Sequence, residues 1–277
     1  ESGAASGYYT DGKSLFMGFY RLDASYSDET RRICYDAKHD IEYLFEPKSG
    51  AVFANEHKFS AQNMPYSAIY SVDNVHSFWP LFASKDGIYF WDSTKDEQAK
   101  ISDYQLKGEL KRLYADVFVD ESSAYFLQQG EEWRRSKHGR HLEAQTVSLY
   151  KFAPSSSWHE VGQVKDGEYG AVYANGDKLY FFSKIKPFYG IKHSVYEVAG
   201  PSVIEILTRA SKELSAKDIS EMIKRGELVE ASGEEVARSR IEYDSPKIIL
   251  YITFGIAFVV IVLTTLAKPK RDKSDLR

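Results

Sequence analysis

Two histidines three residues apart, His138 and His141, with Glu143 just behind them, come nearest in this sequence to a metal-binding arrangement. Histidines so spaced meet on a helix, but Gly130 and Gly139 bracket the stretch and make it read as a loop. A metal site also needs three or four convergent ligands and a supporting shell. The expectation is no metal and no cofactor. The same stretch is basic: Arg134, Arg135, Lys137 and Arg140 fall within seven residues, directly after Trp133. Cationic groups beside an indole suit anionic lipid head groups or an acidic partner surface. Glu131 and Glu132 adjoin them, so an exposed hairpin tip of mixed charge has the same composition. These five residues are the candidate partner or lipid contact.

Paired carboxylates are plentiful, as in Asp36 with Asp40 and Asp92 with Asp96 and Glu97, but all lie in turn-like segments where acids are ordinary. Glycoside hydrolysis needs two carboxylates held at a set distance across a cleft, and no local motif marks such a pair. Nor is there a G-x-S-x-G, H-E-x-x-H, P-loop or G-x-G-x-x-G pattern. No catalytic residue is therefore assigned. The 20 Tyr and 4 Trp could line a carbohydrate or peptide groove, or fill the core of short β units.

The elements that would position these residues begin with a membrane signal. Residues 248–267 read IILYITFGIAFVVIVLTTLA, without a charge. About 20 helical residues span the roughly 30 Å of a bilayer's hydrocarbon core. The alternative is a buried core helix or strand pair, which rarely keeps every face apolar. Lys247 and Tyr251 flank the entry, and Lys268, Lys270 and Arg271 begin a basic tail over 268–277. Basic flanks stay on the cytoplasmic side, which places the tail in the cytoplasm and residues 1–245 outside. The span has no ionisable residue, so it reads as an anchor, not a conduit.

Residues 1–7, small and polar, read as the lead-in left after removal of a signal peptide. Cys34 is the single cysteine and no Asn-x-Ser/Thr sequon occurs. Both features favour a bacterial periplasm over a disulfide-rich animal cell surface. The ectodomain is mildly acidic, which gives no reason to expect nucleic acid as a partner.

Five segments between residues 8 and 185 share one form: an aromatic strand, a turn of Asp, Asn, Lys, Ser or Gly, and a second aromatic strand. They begin at Tyr8, Tyr43, Leu81, Val117 and Val172. Tyr9–Phe16, Phe82–Tyr89, Phe118–Tyr125 and Tyr173–Tyr180 are each seven apart, and Phe45–Phe53 is eight, allowing one extra residue around Pro47. The leading aromatics step by 36, 37, 36 and 55. The long last step contains a further strand-turn-strand, Val147 to Val164. A repeat of this length is one unit stacked on copies of itself. The fold expected is mainly β: a small β-propeller or a stacked-hairpin array over residues 8–200.

The recurring pattern, clearest in SKDGIYFW (Ser84–Trp91) and ANGDKLYFF (Ala174–Phe182), resembles the bacterial DKNYY repeat family. No unit here reads Asp-Lys-Asn-Tyr-Tyr. The resemblance implies repeats on secreted or envelope-associated proteins and carries no catalytic set.

Over 201–245 the aromatics thin out and charges rise. Val203, Ile204 and Leu207 have helical spacing, and Ser215-Ala-Lys-Asp218 resembles a capping box opening a helix that stops at Gly226. The stretch is expected to be a helical juxtamembrane stalk, followed by the transmembrane helix over 246–267. Together these features point to a single-pass protein of a bacterial inner membrane, its periplasmic β-repeat module serving as an accessory or regulatory subunit beside an inner-membrane protein partner. An envelope-glycan hydrolase with a site between repeats, or an envelope sensor signalling through a partner, are the alternatives.

Overall fold

Tyr9 faces Phe16, Phe82 faces Tyr89, Phe118 faces Tyr125 and Tyr173 faces Tyr180 across four hairpins of the computed structural model, which describes residues 7–71, 78–137, 139–185, 195–208 and 214–243. The four aromatic pairs seven residues apart are thus direct cross-strand partners, the unit by which antiparallel sheets are stabilised. The fifth hairpin keeps the same separation. Phe45 faces Val52, and Phe53 faces Leu44, so Pro47 adds no residue to the register and the expected Phe45–Phe53 pair does not form.

Each hairpin belongs to an antiparallel meander. The first sheet has β1 (Tyr8–Thr10), β2 (Ser14–Met17) and β3 (Tyr20–Ser25). The second has β4 (Arg31–Asp36), β5 (Ile41–Glu46), β6 (Ala51–Ala54) and β7 (His57–Lys58). The third has β8 (Ser67–Ile69), β9 (Leu81–Ser84), β10 (Gly87–Asp92) and β11 (Glu97–Ser102). The fourth begins with β12 (Lys111–Tyr114), β13 (Val117–Val119), β14 (Ser123–Ser136) and β15 (Gly139–Pro154). The fifth begins with β16 (His159–Val164), β17 (Gly170–Asn175), β18 (Lys178–Ser183) and β19 (Val195–Val198). Then come helices α1 (Pro201–Thr208) and α2 (Ala216–Lys224), strand β20 (Leu228–Glu230) on the edge of the fifth sheet and β21 (Glu234–Glu242) on the edge of the fourth.

The central strands bury both faces, which is why they read as unbroken apolar runs rather than as alternating ones. Successive side chains point to opposite faces, so one hairpin serves two interfaces. Leu44 and Phe53 pack against Leu15 and Leu22 of the first sheet, whereas Tyr43, Phe45 and Val52 join the cluster shared with the third and fourth. Phe118 and Tyr125 face that same cluster, while Val117, Ala124 and Phe126 pack against Ala171, Tyr173, Tyr180 and Phe182 of the fifth sheet. The outer face of the fifth sheet, through Val172 and Phe181, is covered by Val203 and Leu207 of α1 and Ile219 and Met222 of α2. Each cluster links neighbours in the series, and among the described residues none joins the fifth sheet back to the first. Among the described residues, the ring that a propeller requires is not closed.

Two expectations change. The segment Val147–Val164 is not a hairpin: β15 belongs to the fourth sheet and β16 to the fifth, with residues 155–158 crossing between them. The step of 55 arises instead because β14 and β15 have 14 and 16 residues where β10 and β11 have six each. Nor are residues 201–243 a helical stalk. The capping box forms, with Asp218 N–H donating to Ser215 Oγ and Ser215 N–H donating to the Asp218 carboxylate, but both helices are short and β20 and β21 return to the sheets. In Glu234–Glu242 the burial alternates from Ala237 onward, with Ala237, Ser239 and Ile241 buried and Arg238, Arg240 and Glu242 exposed. That period of two was hidden among charges because its inward positions include a serine.

Among the described residues no helix is long and apolar enough to cross a membrane. The stretch 246–267 and the flanking Lys247, Tyr251, Lys268, Lys270 and Arg271 lie outside them.

Candidate interaction site

The fourth sheet carries a two-stranded arm. Strand β15 pairs with β14 on one side and with β21 on the other. Strand β21 ends at Glu242 opposite Ala144, but the β14–β15 pairing continues through Trp133–Leu142, Arg134–His141, Arg135–Arg140 and Ser136–Gly139. Tyr243 N–H still donates to the Glu143 carbonyl, so four residues of β15, Gly139 to Leu142, overhang the sheet, about 13 Å at the rise of an antiparallel strand. The register shifts between Glu132 and Trp133, leaving Glu143 as an extra residue. A bulge of this kind bends and re-aims a strand, here where the sheet gives way to the free arm.

All five residues singled out as a candidate contact sit on this overhang. Trp133 is 52% exposed; Arg134, Arg135, Lys137 and Arg140 are exposed as well. Cross-strand pairing puts Trp133 beside Leu142 on one face, with Arg135 and Arg140 further out on that face and Lys137 at the turn. Leu142 joins this face only through its cross-strand pairing with Trp133, which a stretch bracketed by Gly130 and Gly139 does not reveal in sequence. Trp133 Nε1 donates to Glu131 Oε2 at 3.0 Å, and Arg134 reaches Glu143 at 3.2 Å on the opposite face. From Trp133 to Leu142 there is no acidic residue. His141 also lies in the arm, and among the described residues no group of three or more His, Cys, Asp or Glu is placed to hold a metal.

The base of the arm is fixed by groups from two sheets, the fourth and the second. Glu132 accepts from Arg240 at 3.0 Å and Arg238 at 3.4 Å, both on β21. The Arg240 guanidinium holds the Glu132 carboxyl below its ordinary range, with Arg238 adding to the effect. Tyr243, the last described residue, donates its hydroxyl to Gln145 Oε1 at 2.6 Å, and Gln145 Nε2 donates to Glu131 at 3.0 Å. The Tyr243 ring stacks on His39 with centroids 5.7 Å apart and planes 8° from parallel, and His39 Nε2 lies 3.2 Å from the Tyr243 hydroxyl. His39 is held in turn by the Asp36 carboxylate at 2.5 Å. Lys38 Nζ also sits over the Tyr243 ring, 3.2 Å from its centroid. Burial pushes the Tyr243 hydroxyl up, reinforced by Asp36 and Glu131, so it is a neutral hydrogen-bond donor across the physiological range. The turn acids expected to be ordinary thus include one, Asp36, that positions the point where the chain leaves the sheets.

Two clefts lie elsewhere. One of about 640 Å³ is lined by Tyr104, Lys107, Lys151, Phe152 and Glu234 among others, with Glu234 its one carboxylate. The other, about 550 Å³, includes Asp28 and Glu46. Glu46 already accepts from Ser27 Oγ, Ser49 Oγ and the N–H groups of Lys48 and Ser49. Burial alone would raise its carboxyl, but these bonds outweigh that and hold it below the ordinary range. A general acid in glycoside hydrolysis needs the opposite shift. Neither cleft presents a carboxylate pair suited to that chemistry.

No family model matches the chain, and neither a curated protein nor a solved structure matches it significantly.

Proposed function

We propose that this chain is a membrane-anchored binding module, its β-sheet array held on the extracytoplasmic face of a bacterial inner membrane beside a protein partner. The observation that carries the reading is the arm. It breaks an otherwise regular repeat, it is built on a rigid sheet, and it gathers an exposed Trp and four basic side chains that have no role in the core. Repeat architectures commonly place function in the insertion that interrupts the period, and surfaces rich in Trp and Arg are those that anchor partners. The uncharged stretch 248–267 and the basic tail behind it support a single-pass anchor with the array outside. Confinement to a membrane raises the effective concentration of a partner in the same plane.

The test is retention and company. The full chain should stay with membranes through an alkaline carbonate wash, and a tag after Arg277 should be protected from protease added outside intact cells. Purified in mild detergent at native expression, it should bring a membrane protein with it. Release by carbonate defeats the anchor, and a chain that purifies alone defeats the subunit assignment.

A further inference from the structure

We propose that the tip of the β14–β15 arm is a lipid-contact surface that seats on the anionic head groups of the same bilayer that holds the anchor. The inference rests on the anchored reading above and adds an orientation to it. Strands β14 and β21 are both antiparallel to β15, so they run in the same direction. The arm therefore projects toward the side on which the chain leaves β21 at Tyr243. Its overhang reaches about 13 Å beyond Tyr243. From Tyr243 to Ile248, where the uncharged stretch begins, five residues can span at most about 17 Å. The arm is long enough to meet a surface that the chain enters about 13 Å or less beyond Tyr243.

The tip's chemistry matches such a surface. Trp is favoured at the boundary between hydrocarbon and head groups because one end of the indole is apolar and the other polar. Trp133 and Leu142 share a face, and Arg135, Arg140 and Lys137 lie beyond them toward the turn. Basic clusters beside a membrane segment are drawn to anionic lipid, and long cationic side chains lay their stems along apolar surface while their charged ends reach phosphate. The acidic groups near the arm are engaged at its base: Glu132 with Arg238 and Arg240, Glu131 with Trp133 and Gln145, Glu143 with Arg134. The cationic tip is thus separated from the carboxylates that would repel a phosphate surface. Two attachments, one by the anchor and one by the arm, would fix the tilt of the array and so the direction in which its remaining surface faces a partner.

The experiment uses the full chain in lipid nanodiscs, with an environment-sensitive fluorophore on Lys137→Cys or, as the distal control, on Glu121→Cys before the opposite end of β14. Cys34 is buried and stays unlabelled in the folded chain. In nanodiscs with about 30% phosphatidylglycerol the probe at 137 should brighten and shift to the blue relative to discs of phosphatidylcholine alone. About 1 M salt, where the screening length falls to ~3 Å, should reverse most of the change. The probe at 121 should respond to neither. Combined Arg134→Gln, Arg135→Gln and Arg140→Gln should abolish the response at 137 while leaving retention in the discs unchanged. A probe at 137 that reports water in both lipids, in a chain retained by the discs, overturns the lipid contact and leaves the anchor standing. A chain that never enters the discs overturns the anchored reading and the inference with it.

Discussion

The indole N–H of Trp79 donates to Ser239 Oγ at 2.8 Å, joining residues 160 positions apart in a fully buried contact between the third sheet and β21. Ser239 passes the interaction on by donating to the Val147 carbonyl at 3.1 Å. Ser239→Ala strands the indole donor in the core, where an unsatisfied polar group costs about 1–3 kcal/mol. A denaturant titration followed by Trp emission should show the midpoint falling without a change in slope.

Because β21 supplies Val236, Ala237 and Ile241 to the central cluster, a chain cut after Gly233 should lose more than a linker. Its β15 would become a bare edge, a template for pairing with other chains. The cut chain should aggregate or be degraded by protease, whereas one ending at Tyr243 should remain monodisperse in size-exclusion chromatography. Equal behaviour of the two would show that β21 is dispensable.

The aromatic repeat was legible because hairpin register leaves a fixed separation in sequence: residues seven apart around a tight turn face each other, as Phe118 and Tyr125 do. The assignment of strands to sheets was not. Nothing local distinguishes the turn after Asp92, which keeps β10 and β11 together, from residues 155–158, which carry the chain from one sheet to the next. The arm is visible in the sequence only as charge: the break in the period reads there as a Val147–Val164 hairpin, and Gly130 and Gly139, which suggest a loop, mask the arm's strand pairing. Gly130 is in fact an interior residue of β14, paired with Thr146. The partners of Tyr243 come from sequence positions as distant as His39, and only the packing of sheets brings them together.

Asp120 offers a test of the turn carboxylates. Burial would raise its pKa, but N–H groups of Lys107, Ser122 and Ser123 and the Tyr125 hydroxyl all donate to it, and their sum holds it below the ordinary value of 3.8. A carboxyl depressed in the folded state stabilises above its unfolded pKa, and that stability is lost as pH falls through the folded value. Thermal melts should therefore change little because of this group down to about pH 5 and fall progressively below about pH 4. Asp120→Asn should be less stable at pH 7 and show a shallower loss on acidification; a parallel acid slope would remove Asp120 from the account.

Cys34 donates its thiol to the Phe78 carbonyl at 3.0 Å inside the central cluster. Burial, with Asp36 adding to it and Arg32 opposing, pushes the thiol up to about 12. Since the thiolate is the reactive form, the folded chain should be inert to iodoacetamide at pH 8 and should label at once in denaturant. Rapid labelling of the folded chain would mean that the interface between the second and third sheets opens.

Gly50 and Gly176 occupy turns with nearly the same backbone angle, φ +67° and +65°, yet differ in their surroundings. A Cβ on Gly50 would meet Pro65 Cβ at 2.5 Å and Tyr66 N at 2.7 Å, whereas one on Gly176 has nothing within 4 Å. Alanine at either site carries the left-handed penalty of roughly 1 kcal/mol or more. Only at Gly50 must backbone also move, in a place where Tyr66 N–H donates to the Gly50 carbonyl at 3.0 Å. Gly50→Ala should therefore lower the melting temperature well beyond Gly176→Ala, and the difference between the two isolates the cost of the close approach from that of the turn. Equal losses would mean that the Pro65 segment yields freely and does not pin the second sheet.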